Sequence, residues 1–419
     1  MNYPDSVQFL YSLGNEIKTA KLGLERIRTV LEALGNPQRR GRFVHVAGTN
    51  GKGSTSAMIE SALRAAGERT GLFTSPHLTE PTERIQLAGS PVSAVRFAAA
   101  FDRVHAAAES LIANGAIDIH PTYFEMVTAM AFLIFAEEAA DRVVLEVGLG
   151  GRLDATNVVL PELCVITPID FDHEAYLGRS LEAIAGEKAG ILKPGVPAVL
   201  AHQRPEALAV LLERARSLDV PVTRAENLSV EDLQPDARGS RFRLAGRLDI
   251  RCPLAGEHQV GNAITAAAAL MKLDVAGGHI VAGIAAARWP GRLELVSERP
   301  EIILDGAHNP AGARALAGYI DRFYSGRRLR LIYGAMRDKA IDEIAGILFP
   351  RAAEVIVTAP RQTRAFAPEA IGRIISHPHL RIAPAIEDAL ALVRGAAPDE
   401  VIFITGSLFL VAEARALLL

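Results

Sequence analysis

Residues 42–55, RFVHVAGTNGKGST, constrain the chain more than any other stretch. A β-rich run (Phe43, Val44, His45, Val46) feeds a turn punctuated by Gly48, Gly51 and Gly53, and a helical pattern is expected from Ser54 or Thr55. A strand, a Gly-rich turn and a helix in that order make an anion cradle. Successive backbone N–H groups converge, the helix N-terminus adds positive potential, and Lys52 supplies a mobile charge. The guest this favours is a nucleoside triphosphate. The spacing departs from the G-x-x-x-x-G-K-[ST] pattern. Val46 stands where the first Gly belongs, and Gly53 where the metal-binding hydroxyl belongs; the hydroxyl comes one residue late, at Ser54. A metal ligand must then come from elsewhere in the chain.

At ~100–200 residues per domain, 419 residues imply two or three domains. A net charge of −3 gives no electrostatic reason to expect nucleic acid. Cys164 and Cys252, far apart, argue against a disulfide scaffold and fit a reducing cytosol, so a cytoplasmic protein is expected. The start, MNYPDSVQFL, lacks the basic and apolar regions of a signal peptide. Apolar runs such as 130–136 are far too short to span a membrane.

Ahead of the cradle, 5–17 reads as an amphipathic helix capped by Asp5, and 24–34 as a second helix, with Glu25 and Arg26 on a solvated face. After it come a helix, 56–66, and a strand, 70–73, that ends in Thr74-Ser75-Pro76-His77. Such an edge is where open α/β sheets place ligands, and Ser75 can offer its oxygen to a metal. Helices are expected at 94–113 and from Thr122 to about 139; Thr122 and Glu125 have capping-box spacing, which accounts for Glu125 without a ligand. The strand 142–147 is apolar at nearly every position except Glu146. A carboxylate in a strand covered on both faces is costly unless paired or on a metal, so Glu146 is the leading acidic candidate. The loop GLGGRLDATN, 148–157, follows it. A strand at 163–167 ends in Pro168-Ile169-Asp170-Phe171-Asp172-His173, a third polar strand end. Ser180 starts a helix in which Lys188 falls near the apolar stripe, to be paired with Glu187 or another acid, or chemically altered.

The run 241–254 reads as an antiparallel hairpin around Ala245-Gly246, and 256–272 as an Ala-rich helix. The segment 297–300 reads as a junction. From 302 strands and helices alternate again: strands at 302–304, 329–333, 354–358, 380–382 and 401–405, with helices at 310–323, 339–348, 367–375, 385–394 and 407–418. This makes a second parallel α/β domain. Asp305-Gly306-Ala307-His308-Asn309 ends its first strand and Gly406-Ser407 its last, so a cleft between two domains is expected.

The segments GTNGKGST, SPHL with ERI, EVGLGGRLDATN, DHEAYLG, EKAGILK, NAITAAAAL, WPGRLE and LDGAHNP run in order along the chain. Together they resemble folylpolyglutamate synthase and the bacterial bifunctional dihydrofolate synthase, within the Mur-ligase superfamily. The resemblance implies an α/β fold with an N-terminal P-loop-type ATPase domain built on a parallel sheet, residues 1–296, and a smaller C-terminal Rossmann-like α/β domain, residues 297–419. It implies an ATP-dependent ligase in which a pterin-bearing carboxylate becomes an acyl phosphate and L-glutamate displaces phosphate. Carried over residue by residue, ATP contacts fall on Gly48, Thr49, Asn50, Gly51, Lys52, Gly53, Ser54, Asn262, Arg292 and Asp305. The Mg2+ ligands fall on Ser75, Glu146 and His173, with Mg2+ at two sites and K+ left open as a further ion. Carbamylated lysine falls on Lys188, and His308 lines the cleft where glutamate enters, a catalytic position. The pterin or folate side falls on Gly23, Leu24, Glu25, Arg26, Thr74, Thr122, Tyr123, Phe124, Glu125, Arg152, Leu153 and Asp154. The implied partners are small molecules, dihydropteroate or folate and L-glutamate, with no nucleic acid and no membrane; the implied state is a monomer.

Glu174-Ala175 after His173 departs from the family pattern, and a solvent-facing Glu174 is the favoured reading. Arg364 follows a strand, as in the family, without a readable partner. A muramyl peptide ligase is disfavoured by Gly53 and by the LGLERI and TYFE segments. A nucleotide-binding protein without ligase activity is disfavoured by Glu146, His173 and Lys188 together. Whether dihydropteroate, tetrahydrofolates or both are substrates depends on pocket shape; both is the expectation, with folylpolyglutamate synthesis alone as the alternative.

Overall fold

A computed structural model of the chain describes residues 1–14 and 23–419. Its centre is an eight-stranded sheet in the order Ser90–Pro91, Ile85–Leu87, Thr70–Phe73, Arg142–Glu146, Arg42–Ala47, Leu163–Ile166, Ala198–Leu200, Val222–Arg224. The last six strands are parallel and the first two add an antiparallel edge. Side chains alternate across it. Phe43, Phe73, Val143 and Leu145 face a core formed with the helices Ala94–Ala113 and Tyr123–Glu137. Val44, Val46, Leu72 and Val144 face the helices Lys52–Ala65, Glu257–Lys272 and Gly277–Ala286. The two-residue period therefore turns Glu146 to the side that carries the Lys52–Ala65 helix.

A small antiparallel sheet, Val230–Asp236, Gly239–Leu244 and Leu248–Cys252, backs that helical layer. The expected hairpin is there, with one further strand. The second large sheet has six strands in the order Glu294–Glu298, Glu301–Asp305, Val401–Thr405, Leu329–Tyr333, Glu354–Val357, Leu380–Ile382, parallel except for the first. The mixed α/β, two-domain architecture expected from the sequence is the one observed.

Several local expectations change. The first helix is Tyr3–Ser12, and its cap is Asn2, whose Oδ1 accepts the Asp5 N–H at 2.9 Å, so Asp5 lies inside the first turn. Residues 15–17 of the predicted helix lie outside the described residues. The helix after the glycine turn starts at Lys52, with Gly51 as its cap at φ +85°, two residues before the expected start. The supposed junction at 297–300 is the turn of a hairpin between Glu294–Glu298 and Glu301–Asp305, so the second sheet takes in a strand that straddles the 296/297 line. Among the described residues no helix is long and apolar enough to cross a membrane.

Candidate active site

The carboxyl ends of five strands of the first sheet converge on one cavity of about 500 Å3. The glycine turn forms its floor, and the main-chain donors of Gly51, Lys52, Gly53 and Ser54, the free first turn of a 14-residue helix, open into it. Thr49 and Asn50 do not add their N–H groups to the cradle: both donate to the Pro168 carbonyl, at 3.0 and 3.2 Å. Thr49 also donates its hydroxyl to the Asp170 carbonyl. These bonds fasten the turn to the next strand end.

Two glycines in the turn are dictated by close neighbours. A Cβ on Gly51 would stand 2.2 Å from Asn262 Oδ1, and one on Gly53 would stand 2.5 Å from the Trp289 ring. The missing hydroxyl at 53 thus has a steric cause: an indole occupies the space where that side chain would project. Ser54 lines the cavity, and its Oγ accepts the Gln259 amide N–H at 3.2 Å; Gln259 in turn accepts from Asn262. Gln259, which lines this cavity, carried no motif signal, and Trp289, which also lines it, was visible only as the first residue of the WPGRLE segment.

Ser75, Glu146 and His173 line the same cavity as Lys52. Glu146 is buried; its Oε2 accepts the Ser75 N–H at 3.1 Å, and burial raises its pKa against the pull of Lys52. No ion pair to Glu146 is formed among the described residues. A buried carboxylate of this kind wants a cation. Magnesium takes one or two carboxylates and completes its shell with phosphate oxygens and water, so this donor set fits a magnesium nucleotide. His173 stands at φ +53°, and burial pushes its imidazole down to about 4. It is a neutral ligand candidate at pH 7, with one ring nitrogen unprotonated.

Lys188 is buried and donates to the Gly48 carbonyl at 2.8 Å. Burial, reinforced by Lys52, pushes its pKa down to about 7. A substantial neutral fraction at pH 7 is the chemical requirement for reaction with CO2. The neighbouring Glu187 is not its partner but pairs with Arg152 at 2.8 Å.

The second domain closes the cavity through Asp172. Its carboxylate accepts from Lys339 Nζ at 2.7 Å and from Asn309 Nδ2 at 3.1 Å, and His308 Nε2 lies at 3.5 Å. Burial would raise this carboxyl, but His308, Lys339 and His173 hold it well below the usual carboxylate range. Asn309 also donates to Asn50 Oδ1 at 3.0 Å, which links the phosphate turn to the other domain. His308 Nδ1 faces the Gly306 carbonyl at 2.8 Å. Asp305 points inward: it accepts the N–H groups of Leu293 and Ala307, at 3.0 and 2.9 Å. It shapes the strand end, as Arg292 does by donating to the Gly306 carbonyl.

A second cavity, of about 220 Å3, adjoins the first and shares Ser75, Gly148, His173 and His308 with it. Gly23, Thr122, Phe124, Glu125, Leu153 and Asp154 line it from the first domain; Met336, Asp338, Lys339, Arg364, Ser407 and Phe409 line it from the second. Arg364 finds its partner in Asp338, at 3.7 Å. The capping box is present: Thr122 Oγ1 and Glu125 Oε2 exchange bonds with each other's N–H. Glu125 also pairs with Arg26 at 2.7 Å, so Arg26 lies on a buried contact, not on a solvated face. Asp154 accepts the N–H groups of Gly148, Leu149 and Thr156 and so shapes the GLGG loop.

Other pterin-side expectations do not reach this cavity. Leu24 is buried in the hydrophobic core, Glu25 is exposed, and Tyr123 is a core residue stacked at 5.8 Å on Tyr11. Arg152 is exposed and held by Glu187 away from both cavities. Thr74 is buried at a neighbouring cavity, where its N–H donates to the Arg84 carbonyl. Glu174 is exposed, as expected.

Comparison with known proteins places the geometry in context. Residues 46–270 match the Mur ligase middle domain, and residues 291–408 match the Mur ligase glutamate ligase domain. The chain is 37% identical to the folylpolyglutamate synthase of Lacticaseibacillus casei, over 100% of this chain and 99% of that protein. It is 37% identical to the dihydrofolate synthase/folylpolyglutamate synthase of Mycobacterium tuberculosis, over 94% of this chain and 89% of that one. The crystal structure of the M. tuberculosis folylpolyglutamate synthase with ADP and AMPPCP superposes with a TM-score of 0.91 at 35% identity, covering 100% of this chain and 99% of that chain.

Proposed function

The chain belongs to the folylpolyglutamate synthase family of Mur ligases, ATP-dependent enzymes that form amide bonds, and from that premise we propose that it joins L-glutamate both to dihydropteroate and to reduced folates through an acyl phosphate, as a cytoplasmic monomer. The observation that carries this reading is the meeting of two cavities: one holds the phosphate turn, the other is lined by apolar and polar side chains of both domains, and Ser75, Gly148, His173 and His308 stand on the boundary. A carboxylate presented from the second cavity meets the γ-phosphate from the first.

The steps assign themselves to groups along that line. The free carboxylate of the pterin substrate attacks the γ-phosphorus, the bond to the β-phosphate oxygen breaks, and ADP leaves. Lys52 and the first-turn N–H groups hold the phosphoryl oxygens, which gain charge as the bond to ADP loosens. Magnesium, held by Glu146, Ser75 and His173 when bound, supplies further charge neutralisation. The amine of glutamate then attacks the acyl carbon and phosphate leaves. That amine must first lose a proton, and His308, on both cavities, is the base assigned to it. The Asp172–Lys339–Asn309 contacts hold the second domain over the boundary, which fixes the angle of approach. Lys188, as a carbamate formed from its neutral amine and CO2 with release of a proton, adds a negative charge under the phosphate turn, suited to a second Mg2+.

Dual activity is supported by relatives from M. tuberculosis, Bacillus subtilis and Escherichia coli that carry both names. Folylpolyglutamate synthesis alone remains the second reading, because the L. casei relative, matched over the whole chain, carries that name only. Parallel assays with dihydropteroate and with tetrahydrofolate, each with ATP, Mg2+ and glutamate, separate them by product mass. Glutamylation of both supports the proposal; tetrahydrofolate alone supports the second reading; neither refutes the substrate class.

A further inference from the structure

Away from both cavities, three metal-ligating side chains converge behind the acceptor side. His105 and Glu109 stand one turn apart on the helix Ala94–Ala113, and His120 lies in the segment leading into the capping box at Thr122. His105 Nδ1, Glu109 Oε1 and His120 Nε2 all lie within 4.8 Å of one another. Glu109 Oε1 is 3.9 Å from the first nitrogen and 3.8 Å from the second, too long for a hydrogen bond. Both nitrogens are shielded from solvent and have no hydrogen-bond partner. A buried nitrogen left unpaired costs about 1–3 kcal/mol, so two aimed at one point call for a common partner.

The ring orientations are fixed from behind. His120 Nδ1 lies 2.9 Å from the Pro121 carbonyl, which holds a proton on Nδ1 and leaves the Nε2 lone pair free. Phe9 packs on both imidazoles, with centroids at 4.5 and 5.4 Å, and Phe101 stacks on His105 at 5.3 Å.

We propose that His105, Glu109 and His120 bind a borderline divalent cation of the zinc class. Two imidazoles and one carboxylate suit Zn2+ and not Mg2+, which prefers six oxygens. Zinc bonds of ~2.0–2.2 Å set ligand atoms roughly 3.3 Å apart in a tetrahedron. The three atoms, all within 4.8 Å of one another, close to that by small side-chain shifts of the two rings and of Glu109, whose side chain is 56% exposed. Solvent water takes the fourth position. The ion would clip residue 120 to the long helix. Thr122, two residues on, belongs to the capping box at the acceptor cavity, so the clip would steady one wall of that cavity.

The test uses the full-length protein stripped of metal, in excess Mg2+ to keep the nucleotide-side acids occupied. Titration with Co2+ should give one equivalent with the visible bands of four-coordinate Co2+, and Zn2+ should raise the melting temperature. Glu109→Gln, at an exposed position, and His120→Gln should both lose the bands and the thermal shift while melting like metal-free wild type. His173→Asn should keep them. Absence of stoichiometric Co2+ in the wild type, six-coordinate bands only, or bands undiminished in Glu109→Gln would each overturn the proposal. If His120→Gln fails to fold, Glu109→Gln alone decides.

Discussion

Restoring the hydroxyl that the phosphate turn lacks should harm the protein. In Gly53→Ser the new Cβ would stand 2.5, 2.8 and 2.9 Å from three atoms of the Trp289 indole, whereas carbon contacts are comfortable at about 3.5–4.0 Å. Relief needs a shift of about 1 Å in the indole or the helix start. Overpacking of this size costs about 1–3 kcal/mol. Replacing Gly within a helix returns about 0.5 kcal/mol, which leaves a net loss of about 0.5–2.5 kcal/mol. Trp289 lines the nucleotide cavity, so this loss is shared between folding and ATP binding. If all of it fell on binding, ATP affinity would drop roughly 2- to 60-fold. Trp289 is the single tryptophan of the chain, so its emission reports on the contact directly. The variant should show a shifted emission maximum, and its losses in melting temperature and in calorimetric ATP affinity should together match that range. Gly53→Ser/Trp289→Leu should recover part of the ATP affinity. A Gly53→Ser protein with unchanged emission, melting point and affinity would refute the steric account.

Other consequences concern the buried charges. Lys188→Ala should lose most activity and regain part with a short-chain carboxylate; in the wild type, bicarbonate reactivation of CO2-depleted enzyme should fall about tenfold per pH unit below pH 7, where the amine is protonated. Activity unaffected by CO2 depletion at any pH would count against the carbamate. Glu146→Gln should shift the Mg2+ titration to higher concentration, and an unchanged titration would remove Glu146 from the ligand set. His45 is fully buried, with Nε2 2.8 Å from Thr156 Oγ1, and burial pushes its pKa down to about 3. The unfolded chain takes that proton near pH 6.5 and the folded one does not, so stability is full above 6.5 and is lost as pH falls toward 3. At pH 5 the loss from this one group is about 2 kcal/mol, readable as a difference between urea melts at pH 7 and pH 5. His45→Gln should flatten that difference; an unaltered pH dependence would show that His45 does not carry it.

The strands and strand ends were legible because buried parallel strands are short apolar runs with polar residues where they stop. The strands Leu329–Tyr333, Leu380–Ile382 and Val401–Thr405 fall where the sequence puts them. The helix Gly277–Ala286 was not legible. It begins with two glycines and is set by packing: a Cβ on Gly283 would lie 2.1 Å from the Ala62 backbone. Val230–Asp236 is an exposed edge strand with Pro235 in it, so it shows no apolar alternation. In the site, Glu146 and Lys188 stood out as charged groups in apolar settings, and Ser75 and His173 as polar groups where buried strands end. Their partners did not. Lys188 bonds a carbonyl 140 residues away within the first domain, and Asp172 meets Lys339 across 167 residues, a contact that only the packing of the two domains creates.

In the proposed reaction a substrate carboxylate in one cavity is phosphorylated by nucleotide in the other. Oxygen tracing tests it most directly. Dihydropteroate or tetrahydrofolate carrying 18O in the carboxylate that receives glutamate is turned over with unlabelled ATP, and the released phosphate is weighed. One 18O per phosphate, with formation of ADP and the glutamylated product, is the predicted result. Product formation with unlabelled phosphate would contradict the account.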